Sequence, residues 1–231
     1  MLNSSVRAYY RARYYDQQAG RLLSEDPTGF EGGVNEYAYA LNSPASYFDP
    51  FGLDAWKKTH GWGRADIKAY SNYMKNFVKS YGSKIDCADL ALLGLINFAS
   101  SNGLPVNLKY YSNGGWGSYN AQSDNFSSVG QYTSMVLNNL GALNVIDNTH
   151  AVKVGDLQPG DLIMTKYGPE IGHTRIVTGT SCSNCTNPTI NWYQGNLPPE
   201  VPQPRTAPFS SLNGGVLPPS QMPRRWNFGS W

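Results

Sequence analysis

The most constraining feature of the sequence is the run ADLALLGLINFA, residues 88–99, which is apolar on nearly every side. A helix that is hydrophobic all round has to be buried, so the run predicts a central helix around which a domain forms. Cys87 stands directly before the run. Asp86 and Asp89 are interpreted as residues that cap and charge the start of this helix, not as metal ligands. No stretch of the chain approaches the ~20 apolar residues of a membrane span.

The residues around this helix predict an independent α+β domain over residues 54–196. Apolar residues recur at helical spacing between Tyr70 and Tyr81, and Gly82 is a good helix stop. Residues 111–128 are predicted as a loop, and residues 129–140 as a weaker amphipathic helix. Three strands follow in the segments DLIMTKY, HTRIVTGT and INWYQGN. Helices followed by a strand meander are typical of α+β folds.

The two ends of the chain differ from this domain. In residues 1–53, short aromatic runs alternate with turn signals, which indicates short strands at the end of a repetitive sheet. Residues 197–231 hold eight of the fifteen prolines and predict an extended tail. The only candidate interaction site in that tail is formed by Arg224, Arg225 and Trp226. We assign these residues no catalytic role.

The net charge and the first sixteen residues bear on the partner of the protein and on its export. The net charge is only +2 and the basic residues are scattered, which argues against nucleic acid as the partner. The stretch MLNSSVRAYYRARYYD lacks the apolar core of a signal peptide. If the protein leaves its cell, we therefore expect another machine or a larger parent chain to carry it.

A cysteine at a helix start suits nucleophilic chemistry. The helix dipole favours the thiolate and lowers its pKa, and the free N–H groups of the first turn suit an oxyanion. Such a thiolate needs a base, and the candidates are His60, His150 and His173. The alternative is that Cys87 is a small core residue and that the histidines are structural.

Strand alternation supports His173 as the base. It begins the second predicted strand, while Trp192, Gln194 and Asn196 share one face of the last strand. If that face also carries His173, an amide reaches the imidazole from the neighbouring strand. The order cysteine, histidine and polar amide would then form a catalytic set.

The stretch YYRARYYDQQAGRLLSEDPTGFEGGVNEYAYALNSPASYFDPFGL, from Tyr9 to Leu53, resembles the C-terminal end of Rhs/YD-repeat proteins. In that family the repeats build a hollow β-shell around a variable C-terminal toxin. The resemblance implies that Asp26 and Asp49 form a carboxylate pair for self-cleavage after Leu53. Two carboxylates that share a proton divide into an acid and a base, which suits peptide hydrolysis. The alternative is that both Asp-Pro steps start turns.

A second resemblance concerns DCADLALLGL, LQPGDLIMTKYGPEIGHTRIVTG and YQGN, which are similar to papain-like amidases and peptidases of the NlpC/P60 and CHAP group. It implies a central buried helix packed on an antiparallel sheet. We expect neither a metal nor a cofactor. The resemblance also implies Cys87 as nucleophile, His173 as base and Asn196 as its orienting residue. Gln194 would assist or line the oxyanion site. The chain departs from the family in placing Thr174 and Arg175 after the histidine.

The motif Cys182-Ser-Asn-Cys185 leaves several interpretations open. It could form a small disulfide after export or half of a metal site, and two solvent-facing cysteines in a turn fit equally well. No second cysteine pair or histidine cluster in the sequence completes a zinc site.

Together these features predict a secreted antibacterial Rhs effector whose C-terminal domain is a Cys-His hydrolase of amide bonds, first of all in peptidoglycan peptides. A cysteine protease, deamidase or transglutaminase acting on a target-cell protein is the alternative within that scaffold. A nuclease-type toxin and a non-catalytic binding module are alternatives from other classes. The expected partners are an immunity protein, the Rhs shell of the parent chain and a secretion apparatus. The expected location is the target cell's periplasm for a peptidoglycan substrate, and otherwise its cytoplasm.

Overall fold

The structure is a computed structural model in which part of the chain is described. It gives the backbone of residues 7–10, 13–16, 21–22 and 221, and it describes residues 55–112, 114–123, 126, 128–167, 172–181, 187–196, 198–212 and 222–231. Asp26, Asp49, Leu53, Cys182 and Cys185 lie outside the described residues, so the self-cleavage site and the Cys-x-x-Cys motif stay predictions.

The helices are α1 (Arg64–Ser80), α2 (Cys87–Ser101), α3 (Val129–Asn139) and α4 (Ala142–Asp147). The strands are β1 (Arg7–Tyr10), β2 (Arg13–Asp16), β3 (Arg21–Leu22), β4 (Asn107–Ser112), β5 (Gly115–Asn120), β6 (Thr149–Ala151), β7 (Leu162–Lys166), β8 (Gly172–Ser181), β9 (Thr189–Tyr193), β10 (Arg205–Pro208) and β11 (Gln221–Trp226). All three predicted helices and all three predicted strands of the meander are confirmed, while β4 and β5 form a hairpin that runs into the segment predicted as a loop.

The chain divides into two compact units, the first made of Met1–Gly61, Ala99–Asn107 and Tyr119–Val136. Within it, β1, β2 and β3 form a small antiparallel sheet. Trp56 donates its indole N–H to the carbonyl of Leu104 at 2.8 Å, and the ring of Tyr132 meets Trp56 edge to face at 5.3 Å. Trp56 is thus fixed within this unit by a satisfied indole N–H and an aromatic neighbour.

The second unit, made of Trp62–Phe98, Leu108–Ser118 and Leu137–Trp231, contains a six-stranded sheet in the order β10-β9-β8-β7-β11-β6. Every neighbouring pair is antiparallel. The helices α1 and α4 lie against β8. The sheet therefore places the start of β8 and the end of β9 beside each other, which is where the predicted histidine and amides lie.

The apolar run forms the buried helix that the sequence predicts. Leu90, Leu95 and Ile96 of α2 are fully buried. A side chain at Gly94 would lie 2.6 Å from the sulfur of Met74 on α1, so this glycine allows the two helices to approach closely. No helix among the described residues has both the length and the apolar character needed to span a membrane.

The proline-rich segment differs from the predicted extended tail, because it supplies β10 and β11 to the sheet. Strand β11 lies inside the sheet, between β7 and β6. Its Trp226 is fully buried and donates its indole N–H to the hydroxyl of Tyr70 at 2.9 Å. The structure therefore extends the sheet beyond residue 196, where the sequence places the end of the domain.

Candidate active site

The start of α2 holds Cys87 at the first helical position. The carboxylate of Asp86 accepts a hydrogen bond from the N–H of Ala88 at 2.7 Å, and the carbonyl of Asp86 accepts from the N–H of Leu90 at 3.1 Å. Asp86 is therefore the N-cap, as the sequence predicts. Because the backbone N–H of a residue at the first helical position has no acceptor within its helix, that of Cys87 points out of the helix start.

His173 lies at the start of β8, opposite Thr165 of β7. Its side chain is buried except for a small exposed edge, and the backbone N–H of the next residue, Thr174, donates a hydrogen bond to the sulfur of Cys87. The strand that carries the imidazole thus directly contacts the thiol. The other two histidines bond elsewhere, His60 to the hydroxyl of Thr59 and His150 to the amide of Asn227.

Gln194, directly after β9, forms a side-chain hydrogen bond with His173. Its amide oxygen also accepts the indole N–H of Trp192 at 3.0 Å, so Trp192 holds the amide in place. The sequence predicts that an amide of this face reaches the imidazole, and in the structure the side chain of Gln194 lies within hydrogen-bonding reach of it. The residue that does so is Gln194, whereas no described contact joins the side chain of Asn196 to His173.

The segment after β9 is docked onto the helix start. The N–H of Asn196 donates to the carbonyl of Ile85 at 3.1 Å. A side chain at Gly195 would collide with the carbonyl oxygens of Ile85 and Asp86, so only glycine permits this approach. Gly195 is thus the position at which the segment after β9 meets the residues directly before Cys87. The turn signal of a glycine between two amides could have been recognised in the sequence.

Cys87, His173 and Gln194 line one cavity of about 600 Å³. Asp86, Cys87, His173, Gln194 and Asn196 line one side of it together with Arg175. The residues before and at the start of α4, from Gly141 to Asn144, line another side, and Tyr167 stands exposed at the rim. Gly172 allows that wall to form, because a side chain there would press on Ala142 and Leu143.

The resting charges of the site differ from the thiolate that the sequence predicts. Burial raises the pKa of the Cys87 thiol to about 11, and the neighbouring Asp86 charge raises it further, against the lowering effect of the Thr174 and Ala88 N–H groups. Burial also lowers the pKa of His173, partly offset by the bond to Gln194. Both groups are therefore neutral at pH 7. The predicted lowered cysteine pKa is wrong because desolvation outweighs the N–H groups that favour the thiolate.

Two features of the site escape the sequence reasoning. The indole of Trp192 is placed on the correct face but its bond to Gln194 is not foreseen, and Arg175 is noted only as a departure from a family pattern. Alternation gives a signal for Arg175, because it lies two residues after His173 on the same strand. Burial raises the pKa of Asp89 to about 6, with Asp86 adding to the effect, so this carboxylate charges the helix start at pH 7 and loses that charge in mild acid.

Among the described residues, no group of three or more histidine, cysteine, aspartate or glutamate side chains is arranged to hold a metal ion. Cys87 is a free thiol. The site thus combines a neutral thiol at a helix start, a neutral imidazole and an amide bonded to that imidazole.

Comparison with known proteins finds similarity over a short stretch of the chain. Toxin protein Tse5 of Pseudomonas aeruginosa is 58% identical over 45 residues, which is 20% of this chain and 3% of that protein. Double-stranded DNA deaminase toxin A of Burkholderia cenocepacia is 47% identical over 45 residues, again 20% of this chain and 3% of that protein. The stretch from Tyr9 to Leu53 has this same length.

Probable deoxyribonuclease RhsA of Dickeya dadantii is 49% identical over 51 residues, which is 22% of this chain and 4% of that protein. The chain therefore covers only a few per cent of the length of these relatives. No family model matches the chain, and no solved structure matches it. The names of the relatives support an Rhs-type toxin, and they differ in the activity that they state.

Proposed function

We propose that the chain is the C-terminal part of an Rhs-type toxin and that the cavity around Cys87 is the active site of a thiol hydrolase that cleaves amide bonds. The observation that carries the proposal is the set of groups that line one cavity: Cys87 at a helix start, His173 on the strand whose next residue bonds the cysteine sulfur, and Gln194 on the imidazole. Nucleophile, base and orienting group in this order are the parts that acyl transfer needs.

The neutral resting state defines the first step of the proposed mechanism. His173 removes the thiol proton of Cys87 as the sulfur attacks the carbonyl carbon, because neither group is charged beforehand. The oxyanion that forms accepts a hydrogen bond from the backbone N–H of Cys87, at the positive end of α2. His173 then gives the proton to the leaving amine, and water attacks the thioester to release the acid and restore the thiol.

Gln194 serves in this proposal as the positioning residue. The amide oxygen of Gln194 is fixed by Trp192 and bonds one ring nitrogen of His173. The second ring nitrogen is then directed to the thiol of Cys87. Asn196, predicted for that role, lines the cavity and is available for substrate contacts. The papain-like architecture proposed from the sequence is compatible with a helix-borne cysteine beside an antiparallel sheet.

Peptidoglycan peptides are the proposed substrate, with delivery into the periplasm of the target cell. A target-cell protein that is cleaved, deamidated or cross-linked in the cytoplasm is the alternative for the same site. These reactions share the thioester and differ in what enters and leaves. An immunity protein, the Rhs shell and a secretion apparatus are the proposed partners.

Expression in a host without the immunity protein tests the activity. We expect the unchanged chain to be toxic and Cys87→Ala to lose toxicity, while the matched control Cys182→Ser keeps it. Gln194→Ala should lower the hydrolysis rate about tenfold or more, as expected for a group that orients a catalytic histidine. Full toxicity of Cys87→Ala at equal expression would show that the site is not a hydrolase or that the domain is a binding module.

Directing the chain to one compartment separates the substrates. Periplasmic toxicity with new free amines on purified peptidoglycan supports wall hydrolysis. Toxicity that occurs only in the cytoplasm, without new amines on peptidoglycan, assigns the site to a protein substrate.

A toxin that acts on DNA is the second candidate, because two relatives are named a DNA deaminase and a probable deoxyribonuclease. Under this candidate, the genomic DNA of intoxicated cells carries uracil or strand breaks before growth stops. Intact, uracil-free DNA at the onset of growth arrest counts against it.

We also propose self-cleavage after Leu53, with Asp26 and Asp49 as the carboxylate pair. Its support is the resemblance of the stretch from Tyr9 to Leu53 to the end of Rhs/YD-repeat proteins, together with toxin relatives that match this chain over a stretch of the same 45-residue length. Intact mass of the full parent protein tests it, with Asp49→Asn as the uncleaved control. A parent that keeps its full mass with both aspartates present contradicts the proposal.

A further inference from the structure

We propose that Arg175 binds a carboxylate of the substrate, so that the cavity selects acidic peptides. The role of Arg175 in selecting substrates for hydrolysis rests on the hydrolase function proposed above. Binding of a carboxylate by Arg175 does not depend on that function. The inference starts from a departure in the sequence, since a long basic side chain stands two residues after the proposed base.

The position of Arg175 follows from the strand that carries it. It lies on β8 opposite Ile163, and alternation gives its side chain the same face of the sheet as His173. Both residues line the cavity of about 600 Å³ that contains Cys87. Arg175 and Cys87 thus line the same open cavity.

Arg175 is also almost fully buried, with 8% of its surface exposed. Its described hydrogen bond runs from Nη1 to the hydroxyl of Thr165 at 2.6 Å. A guanidinium group has five N–H donors, and a neutral hydroxyl accepts one of them here. Most of its hydrogen-bonding capacity is therefore left for a group inside the cavity.

The described carboxylates do not neutralise this charge. Ion pairs among the described residues join Arg205 to Glu200 and Arg225 to Asp161. Asp86 lines the same cavity, but its carboxylate caps α2 and forms no ion pair with Arg175. Burying a cation without an anion is costly, and arginine is rarely buried unless it is paired.

A ligand carboxylate would supply the missing partner. The planar fork of the guanidinium group matches a carboxylate with two parallel hydrogen bonds, and low local dielectric strengthens the pair. Within an amide hydrolase, the carboxylate belongs to the peptide, either as a free terminus or as an acidic side chain near the bond that is cut. The substrate class is therefore an acidic peptide.

Selective alkylation of Cys87 tests the site without any turnover. The chain carrying Cys182→Ser and Cys185→Ser is treated with pairs of iodoacetyl reagents that end in a carboxylate or in the matching carboxamide, with glycine, γ-aminobutyrate and aminohexanoate as spacers. Mass spectrometry measures the labelling rate. We expect a preference of about tenfold or more for the acid at one spacer length, the size of a charged hydrogen bond.

The ratio of the two rates removes any change in thiol pKa, because both members of a pair react with the same thiolate. Arg175→Gln should lose the preference, and Arg175→Lys should keep part of it as a point charge. Arg205→Gln, which removes an exposed arginine outside the cavity, should keep it in full. The lysine variant decides the outcome if the glutamine variant does not fold.

The proposal is overturned if the ratio of acid to carboxamide labelling rates is the same in the parent chain and in Arg175→Gln. It is also overturned if neither reagent labels Cys87 at any spacer length. A preference that depends on Arg175 in a chain without hydrolase activity supports the anion site and removes only the catalytic proposal. The two proposals therefore fail separately.

Discussion

Two regions of the six-stranded sheet hold their arginines in opposite ways. Around β11, Arg225 forms two hydrogen bonds of 2.7 Å to the carboxylate of Asp161, which also accepts the N–H of Gln158 at 2.9 Å. Around the cavity, Arg175 bonds a neutral hydroxyl. Cys87 beside it is neutral at pH 7, and burial likewise favours the neutral form of His173.

The difference separates groups that hold the fold from groups that are free to react. In the first region, donors and acceptors are matched within the protein, as is usual for buried polar groups. In the second region, polar groups with unused capacity face a cavity, which costs stability and indicates function. Four predictions test this contrast.

The largest effect is expected for Arg225→Met, which leaves the buried Asp161 carboxylate without its partner. We expect the free energy of unfolding at pH 7 to fall by about 2 to 4 kcal/mol, less than for a fully buried pair because Arg225 is partly exposed. Urea denaturation measures it. Arg205→Met, which breaks an exposed pair with Glu200, is the control and should change stability by about 0 to 1 kcal/mol. Equal losses in both variants would erase the contrast.

The second prediction concerns the pH dependence of Cys87. Its pKa of about 11 lies above the ordinary value of 9.0, so the thiolate fraction at pH 7 is about a hundredfold lower than for a free cysteine. Alkylation by iodoacetamide should therefore rise with pH through pH 10. A plateau that begins below pH 8 would mean that the cavity holds a preformed thiolate.

The third prediction is that Gly195→Ala damages both the fold and the site. Its new methyl group would overlap the carbonyl oxygens of Ile85 and Asp86, and such overpacking costs about 1 to 3 kcal/mol. Hydrolysis should fall as well, because Gln194 loses its position. Gly82→Ala is the matched control, since a side chain there meets nothing within 4 Å. Loss of stability without loss of activity would separate Gly195 from the site.

The smallest effect is expected for Arg175→Met, which removes a buried charge that has no described anion. Stability should change by less than about 1 kcal/mol or increase, because the cost of burying the cation disappears. Thermal unfolding measures it against Arg225→Met. A loss as large as that of Arg225→Met would place Arg175 among the groups that hold the fold.

Local patterns predict the elements around the site well. The apolar run determines α2, and alternation together with the turn residues determines β7, β8 and β9. Cys87 and His173 are found because a helix start and a strand start are visible in the sequence. The sequence leaves a choice between Gln194 and Asn196, since alternation gives both the same face, and only the contacts of Gln194 with His173 and Trp192 distinguish them.

Features that depend on distant partners are not predicted. Residues 221–226 contain Pro223, which lacks an N–H and argues against an internal strand, yet they pair with β7 and β6. The hairpin of β4 and β5 lies in a segment whose glycines and asparagines favour turns. The high pKa of Cys87 depends on burial, which a helix-dipole argument does not contain.

The position of β11 has a consequence for the folding kinetics. Its partner Thr165 in β7 and its partner His150 in β6 lie far upstream of residues 221–226, so these contacts close long loops. Non-local strand pairing of this kind slows folding. Until β11 inserts, β7 and β6 present unpaired edges to each other, and exposed edges are the sites where other chains add. The gap between these two strands is thus the point at which we expect domain swapping and aggregation to compete with maturation.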